Sequence, residues 1–332
     1  MVVYANFLGT FKAMNDQNSR AERQVLLMSA AGNLVIGLVG IFFAVFSRSQ
    51  AIMLDALFNL TYFATGLFTL KVAKMVQQGD DERFPVGYAF FEPLINGLKG
   101  VLVLGVSIMA LVGAVQALFT GGRAIAAGTA IAYGIFAAAA CWSLAVVTRR
   151  GAQRTDSPLV LADAENWLVN GAISSAVLLA FIGILLIKNS SLEYIVPYID
   201  PSLVLIVVLI SISVPGRMAW RALMELLNRA PSPQIVQQVD DIVKKCTAGL
   251  PVQSLFVRVI QPGRTRMVMA HVVLPTDFQV EGLAALDTLR AETLKELKSM
   301  HLATVLDMVF TADPVWGAPS GQDALNSSQF SN

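Results

Sequence analysis

Six stretches of mostly apolar residues, each long enough to cross a bilayer, follow one another through the first two-thirds of this 332-residue chain. They run approximately over 25–46, 51–76, 93–119, 124–148, 158–187 and 200–220. Crossing the hydrocarbon core takes about 20 such residues in a helix, because no water is present there to satisfy the backbone. Only 14% of the residues are charged, against roughly 25% in a soluble domain. The expected class is an α-helical membrane protein with six transmembrane helices.

After about residue 230 the composition changes, and charged residues return between apolar ones. A helix is predicted over 232–247, opened by the breaker Pro231-Ser232-Pro233. Segments 254–261 and 265–275 are β-rich and flank the turn signal QPGR. Leu283, Leu286, Leu289, Leu294 and Leu297 recur at helical spacing over 281–299, and ATVLDMVFT over 303–311 reads as a last strand. The expected layout is an N-terminal segment 1–24, a membrane domain 25–220, an αββαβ domain 231–315 and a disordered Ser/Asn/Gly-rich tail 316–332.

Six crossings put both ends of the chain on one side. Lys12, Arg20 and Arg23 precede the first span, Lys71, Lys74 and Arg83 follow the second, Arg149, Arg150 and Arg154 follow the fourth, and Arg217, Arg221 and Arg229 follow the sixth. The other side has only Arg48, Arg123 and Lys188, so the balance is twelve to three. Basic connections stay in the cytoplasm, so both termini are expected there. The opening MVVYANFLGTFKAMNDQNSRAERQ does not read as a signal peptide. Short loops lean toward a bacterial inner membrane.

Several function classes fall away. A net charge of +1 offers no basic surface for nucleic acid. Cys141 and Cys246 form neither a CxxC pair nor a disulfide framework. No His-x-x-Glu-His, nucleophile elbow or phosphate loop is present, so no enzyme and no bound cofactor is expected.

An ionisable residue inside a span is a functional hypothesis in itself. Asp55 and Asn59 stand four apart in the second span, on one helix face. Asn166 and Asn170 repeat that spacing in the fifth, with Asp163 about one turn earlier and Glu165 pointing elsewhere. If the two pairs face each other, four side-chain oxygens surround one point, an arrangement suited to a cation. The competing reading is that the asparagines, Asn33 of the first span included, join helices by hydrogen bonds. Asp55 argues against that, because packing does not require a carboxylate.

This pattern resembles the cation diffusion facilitator family, over about residues 22–315. LDALFNL is similar to its second-span metal motif. FPVGYAFFEP is similar to its HPFGH-x-x-x-E connection, with Pro85, Gly87 and Glu92 matching. LADAENWLVN stands where the family has a fifth-span His-x-x-x-Asp. IDPSLVLIVVLI and LMELLNRAP resemble the sixth span and the link beyond it. PGRTRMVMAHVVLP and TADP resemble a hairpin and last strand of its C-terminal domain. The resemblance implies a homodimer that exports a divalent cation, with protons as counter-ion. It also implies a ferredoxin-like, metallochaperone-like dimerisation domain that often binds regulatory metal.

The departures bear on selectivity. The positions of the family's Asp-x-x-x-Asp and His-x-x-x-Asp read Asp55, Asn59, Asn166 and Asn170 here. Without imidazole the site suits Zn²⁺ poorly and a harder cation such as Mn²⁺, Fe²⁺ or Mg²⁺ better. Only Asp55, with Asp163, is left to carry a proton. The connection has Phe84 and Tyr88 in place of histidines, leaving Asp81 as a candidate ligand or a solvated loop residue. His271 and Asp313 hold ligand-like positions in the C-terminal domain, where Leu255 and Thr311 replace others; His271 equally suits a half-buried strand position. The alternative to a transporter is a membrane scaffold or sensor that has lost the site.

Overall fold

The computed structural model describes residues 2–76, 80–155, 158–187, 190–279 and 282–318. Lys188 and the tail from residue 319 lie outside the described residues. Two compact units are present. One holds Leu98–Ala219 with the chain up to Lys71, and the other holds Val72–Gly97 with the chain from Trp220 onward.

Helix α1 covers Val2–Ser47, α2 Gln50–Val76, α3 Phe91–Phe119, α4 Ala127–Thr155 and α5 Pro158–Ile187. A short 3-10 turn, Glu193–Ile195, leads into α6, Val196–Ser211, and then α7, Ser213–Leu226. Among the described residues, six segments are long and apolar enough to cross a membrane: Ala21–Ser47, α2, α3, Ala127–Arg154, Asp163–Ile187 and Glu193–Leu226. Each of the six expected spans overlaps one of them; those expected over 124–148 and 158–187 begin three and five residues earlier than the segments Ala127–Arg154 and Asp163–Ile187. Helix α1 begins well before its apolar part, because residues 2–24 contain no proline and many good helix formers. The sixth segment is interrupted at Ile212. Pro215 has no N–H to offer the Ser211 carbonyl, so the helical ladder lapses there and α7 starts afresh.

The membrane core is built largely from alanine. Ala44, Ala51, Ala110, Ala114, Ala130 and Ala137 are buried together with Ile52, Leu54, Tyr133, Phe181, Ile184, Val204 and Val208. Lipid is as apolar as a leucine side chain, so small residues are favoured where backbones approach closely. Gly100 shows such an approach: a Cβ there would lie 2.8 Å from the backbone nitrogen of Ala219 and 2.9 Å from the Pro215 carbonyl. Outward faces carry Phe42, Phe46, Met109, Leu186 and Ile210, as expected where the solvent is hydrocarbon.

The turn between α1 and α2 is two residues long, Arg48 and Ser49. Arg48 adopts a positive φ of 56°, which ends α1. Ser49 then caps α2, its Oγ accepting the N–H of Ile52 at 3.2 Å. Asp200 of α6 completes the cap by accepting the N–H groups of Gln50 (2.9 Å) and Ala51 (3.3 Å) and the Ser49 hydroxyl (2.5 Å).

The C-terminal elements run α8 (Pro233–Thr247), β1 (Ser254–Ile260), β2 (Arg266–Val273), α9 (Leu283–Met300) and β3 (Thr304–Thr311). This is the α-β-β-α-β order read from the sequence. Strands β1 and β2 form an antiparallel hairpin, β2 and β3 pair in parallel, and the sheet order is β1-β2-β3. A parallel return needs a crossover, which α9 supplies. Pro233 opens α8 at a position where its missing N–H costs nothing. Val239 and Val243 of α8 and Leu297 of α9 pack on Val259, Val268, Ala270, Val272 and Met308 of the strands. A 3-10 turn, Pro314–Trp316, follows β3, and Arg258 donates to the carbonyls of Gly317 (2.8 Å) and Ala318 (3.0 Å).

Candidate cation path

Asp55 and Asn59 lie on one face of α2, as their spacing predicts. The Asn59 amide donates to the Asp55 carbonyl at 2.8 Å and to its Oδ1 at 3.2 Å. Tyr133 of α4 donates its hydroxyl to Asp55 Oδ2 at 2.6 Å. Both carboxylate oxygens are thus held by neutral donors, and among the described residues no cationic side chain pairs with them. The Asn59 carbonyl oxygen Oδ1 is buried and has no hydrogen-bond partner among the described residues. Gly40 of α1 makes room for this arrangement: a Cβ there would lie 2.9 Å from the Tyr133 hydroxyl and 2.8 Å from the Ala56 Cβ. Cys141, buried two turns along α4 from Tyr133, meets Ser174 of α5 and lies within electrostatic reach of Asp55.

A second polar cluster stands apart from the first. Asp163 of α5 lies beside Ser29 and Trp167 and within electrostatic reach of Lys99 on α3. Trp167 Nε1 donates to Ser29 Oγ at 2.8 Å, and Asn33 donates to the Ser29 carbonyl at 3.2 Å. Asp163 Oδ2 is buried with no hydrogen-bond partner among the described residues. Lys99 Nζ lies 4.4 Å from the centroid of the Tyr62 ring on α2.

Asn166 and Asn170 make no hydrogen bond to Asp55 or Asn59 among the described residues. Successive spans alternate in direction, so α2 and α5 run oppositely. Asp55 lies roughly 8 Å along the axis from the start of α2, and Asn166 and Asn170 roughly 12 and 18 Å from the start of α5, at a rise of about 1.5 Å per residue. Those starts are on opposite faces of the membrane. It is Ser174, one turn beyond Asn170, that meets the surroundings of Asp55. Along their own helices, Asp55 stands nearer the start of α2 than Asn59, and Asp163 nearer the start of α5 than Asn166 and Asn170.

Three residues of these clusters escape sequence reading. Lys99 was detectable as a basic residue inside an apolar span, where it costs about 3 kcal/mol or more unless compensated. Tyr133 carries no such signal. Asp200 at a span end reads as solvated, whereas it is fully buried against α2.

The candidates outside the membrane have local partners. Asp81 accepts the N–H groups of Arg83 (2.9 Å) and Phe84 (2.8 Å) and the Tyr88 hydroxyl (2.5 Å), so it organises the turn after α2. The Tyr88 hydroxyl, and next the Phe84 N–H, hold its carboxyl below the ordinary range. Asp313 caps the last 3-10 turn by accepting the Val315 N–H at 2.9 Å. His271 sits on β2 opposite Phe256, with Nδ1 buried and unpartnered. Among the described residues no three His, Cys, Asp or Glu side chains converge on a point that would hold a metal ion. Glu92, matched in the connection motif, opens α3 and reaches the β1–β2 hairpin. It forms an ion pair with Arg264 and accepts that residue's backbone N–H at 2.8 Å.

Comparison with curated proteins finds no match to the chain. A family model for the cation efflux transmembrane domain matches residues 26–227, more than half of the chain and all six spans. The protein is therefore a member of the cation efflux, or cation diffusion facilitator, family: an integral membrane cation transporter.

Proposed function

We propose that this protein exports a divalent cation from the cytoplasm in exchange for protons, preferring a hard ion such as Mn²⁺, Fe²⁺ or Mg²⁺ to Zn²⁺. The observation that carries this reading is the buried, unpartnered Oδ1 of Asn59 beside a carboxylate that has no cationic partner among the described residues. An orphaned acceptor in a dry site costs free energy that a bound cation would recover. The donors along α2 and α5 are oxygens, without imidazole, which suits a hard ion. In this reading the ion meets Asp163, passes the amide oxygens of Asn166 and Asn170, and reaches Asp55 and Asn59. Rocking of the helices then opens the Asp55 end to the far side. Asp55 and Asp163 are the groups able to carry the exchanged protons.

The proposed setting is a bacterial inner membrane with both termini cytoplasmic. The proposed assembly is a homodimer held by a ferredoxin-like C-terminal domain that packs rather than clamping metal. A second reading, a non-transporting scaffold or sensor, draws support from the absence of a converging set of strong ligands among the described residues.

Cation flux into proteoliposomes under an imposed pH gradient separates the two. Wild type is compared with Asp55→Ala across Zn²⁺, Mn²⁺, Fe²⁺, Mg²⁺ and Na⁺. Flux of a hard divalent ion that disappears in the folded variant is the expected result. Flux retained by Asp55→Ala would overturn the site. No flux from folded, dimeric wild type would establish the scaffold reading.

A further inference from the structure

We propose that Lys99 is a tethered cation that competes with the transported ion for Asp163, and so sets how tightly this end of the path holds its cargo. The proposal rests on the carrier reading above.

An ammonium within an apolar span needs compensation. Two groups offer it here, and they lie on different helices. Tyr62 of α2 presents its ring face 4.4 Å from Nζ. Asp163 of α5 lies within electrostatic reach of Lys99, and among the described residues the two do not close into a contact ion pair. The ammonium rests on the ring, and Asp163 Oδ2 stays buried and unpartnered.

The two side chains differ in freedom. Ser29 and Trp167 flank Asp163, and Ser29 is itself held by the Trp167 indole at 2.8 Å. The short carboxylate side chain has little room to move. Lysine carries its charge on a flexible four-carbon stem. The ammonium therefore has two resting places, the Tyr62 ring and the Asp163 carboxylate. With an ion on Asp163, like-charge repulsion keeps Lys99 on Tyr62. When the ion moves on, Lys99 covers the carboxylate, and no uncompensated charge is left in the membrane. Asp163 is thereby kept from binding its cargo too tightly to release it.

The test measures Mn²⁺ binding to the full-length protein in detergent by electron paramagnetic resonance of free Mn²⁺, alongside Mn²⁺ flux. Lys99→Gln is expected to bind Mn²⁺ about tenfold more tightly than wild type, the order of effect expected from removing one partly screened charge. Its maximal flux is expected to fall because release slows. Lys99→Arg keeps the charge and should stay near wild type. Tyr62→Leu removes the ring and drops Lys99 onto Asp163, so binding should weaken. Adding Asp163→Asn to Lys99→Gln should abolish the gain. A merely structural lysine would not move affinity in opposite directions in Lys99→Gln and Tyr62→Leu. Equal or weaker binding by folded Lys99→Gln would overturn the proposal; if wild-type flux persists, the carrier reading stands without it. Absence of both binding and flux in wild type and in Lys99→Gln would overturn the two together.

Discussion

The carboxylate of Asp200 on α6 accepts the backbone N–H of Gln50, the first residue of α2, at 2.9 Å. The bond joins positions 150 residues apart and fixes the end of the helix that carries Asp55. Asp200 also takes the Ser49 hydroxyl and the Ala51 N–H, and it is fully buried. A negative charge is favourable at a helix N-terminus, where the first N–H groups have no intrahelical partner. Asp200→Ala would leave those donors unsatisfied, at a cost of about 1–3 kcal/mol. A lowered thermal midpoint in detergent is expected, with Asp200→Asn intermediate. An unchanged midpoint for Asp200→Ala would mean that the cap contributes nothing.

Tyr133→Phe removes the donor to Asp55 Oδ2 and strands a buried carboxylate oxygen. The apo protein is expected to lose about 1–3 kcal/mol of stability. A cation binding at Asp55 would satisfy the freed oxygen, so added Mn²⁺ should raise the thermal midpoint more in the variant than in wild type. Equal shifts would place the ion elsewhere.

Asparagine at 166 and 170 keeps an oxygen but offers neither imidazole nor charge. Asn166→His with Asn170→Asp is expected to move transport selectivity toward Zn²⁺, measured as the ratio of Zn²⁺ to Mn²⁺ flux. An unchanged ratio would mean that these side chains do not line the path.

The turn after α2 has its own pH window. Hydrogen bonding holds Asp81 below the ordinary carboxylate range, and the Asp81 carboxylate holds the Tyr88 phenol above the ordinary tyrosine range. The Asp81 contribution is present above the ordinary aspartate range and is lost as pH falls through its lowered value. The Tyr88 contribution is present below the ordinary tyrosine range and is lost as pH rises through its raised value. Asp81→Asn is expected to bring Tyr88 titration down toward the ordinary range, read from ¹³C-labelled tyrosine by NMR. Unaltered Tyr88 titration would show that the Asp81 bond does not form in solution.

The sequence by itself determined the six crossings, because a bilayer admits only self-satisfied helices of sufficient apolar length and each run meets that condition alone. It also determined the α-β-β-α-β order after residue 230, where periodicity switches between 3.6 and 2 and proline and glycine mark the boundaries. The pairing of Asp55 with Asn59 was legible for the same reason, as both lie on one helix four residues apart. What lies between helices was not legible. Spacing within α2 and within α5 says which face a side chain occupies, yet not how far one helix is displaced along the other. Only tertiary packing decides that displacement. It also decided that Tyr133 meets Asp55, where Gly40 leaves room for the hydroxyl. Lys99, Tyr62 and Asp163 come from three helices, and Asp200 reaches α2 across 150 residues. Such contacts depend on the relative height and rotation of whole helices, which no local pattern encodes.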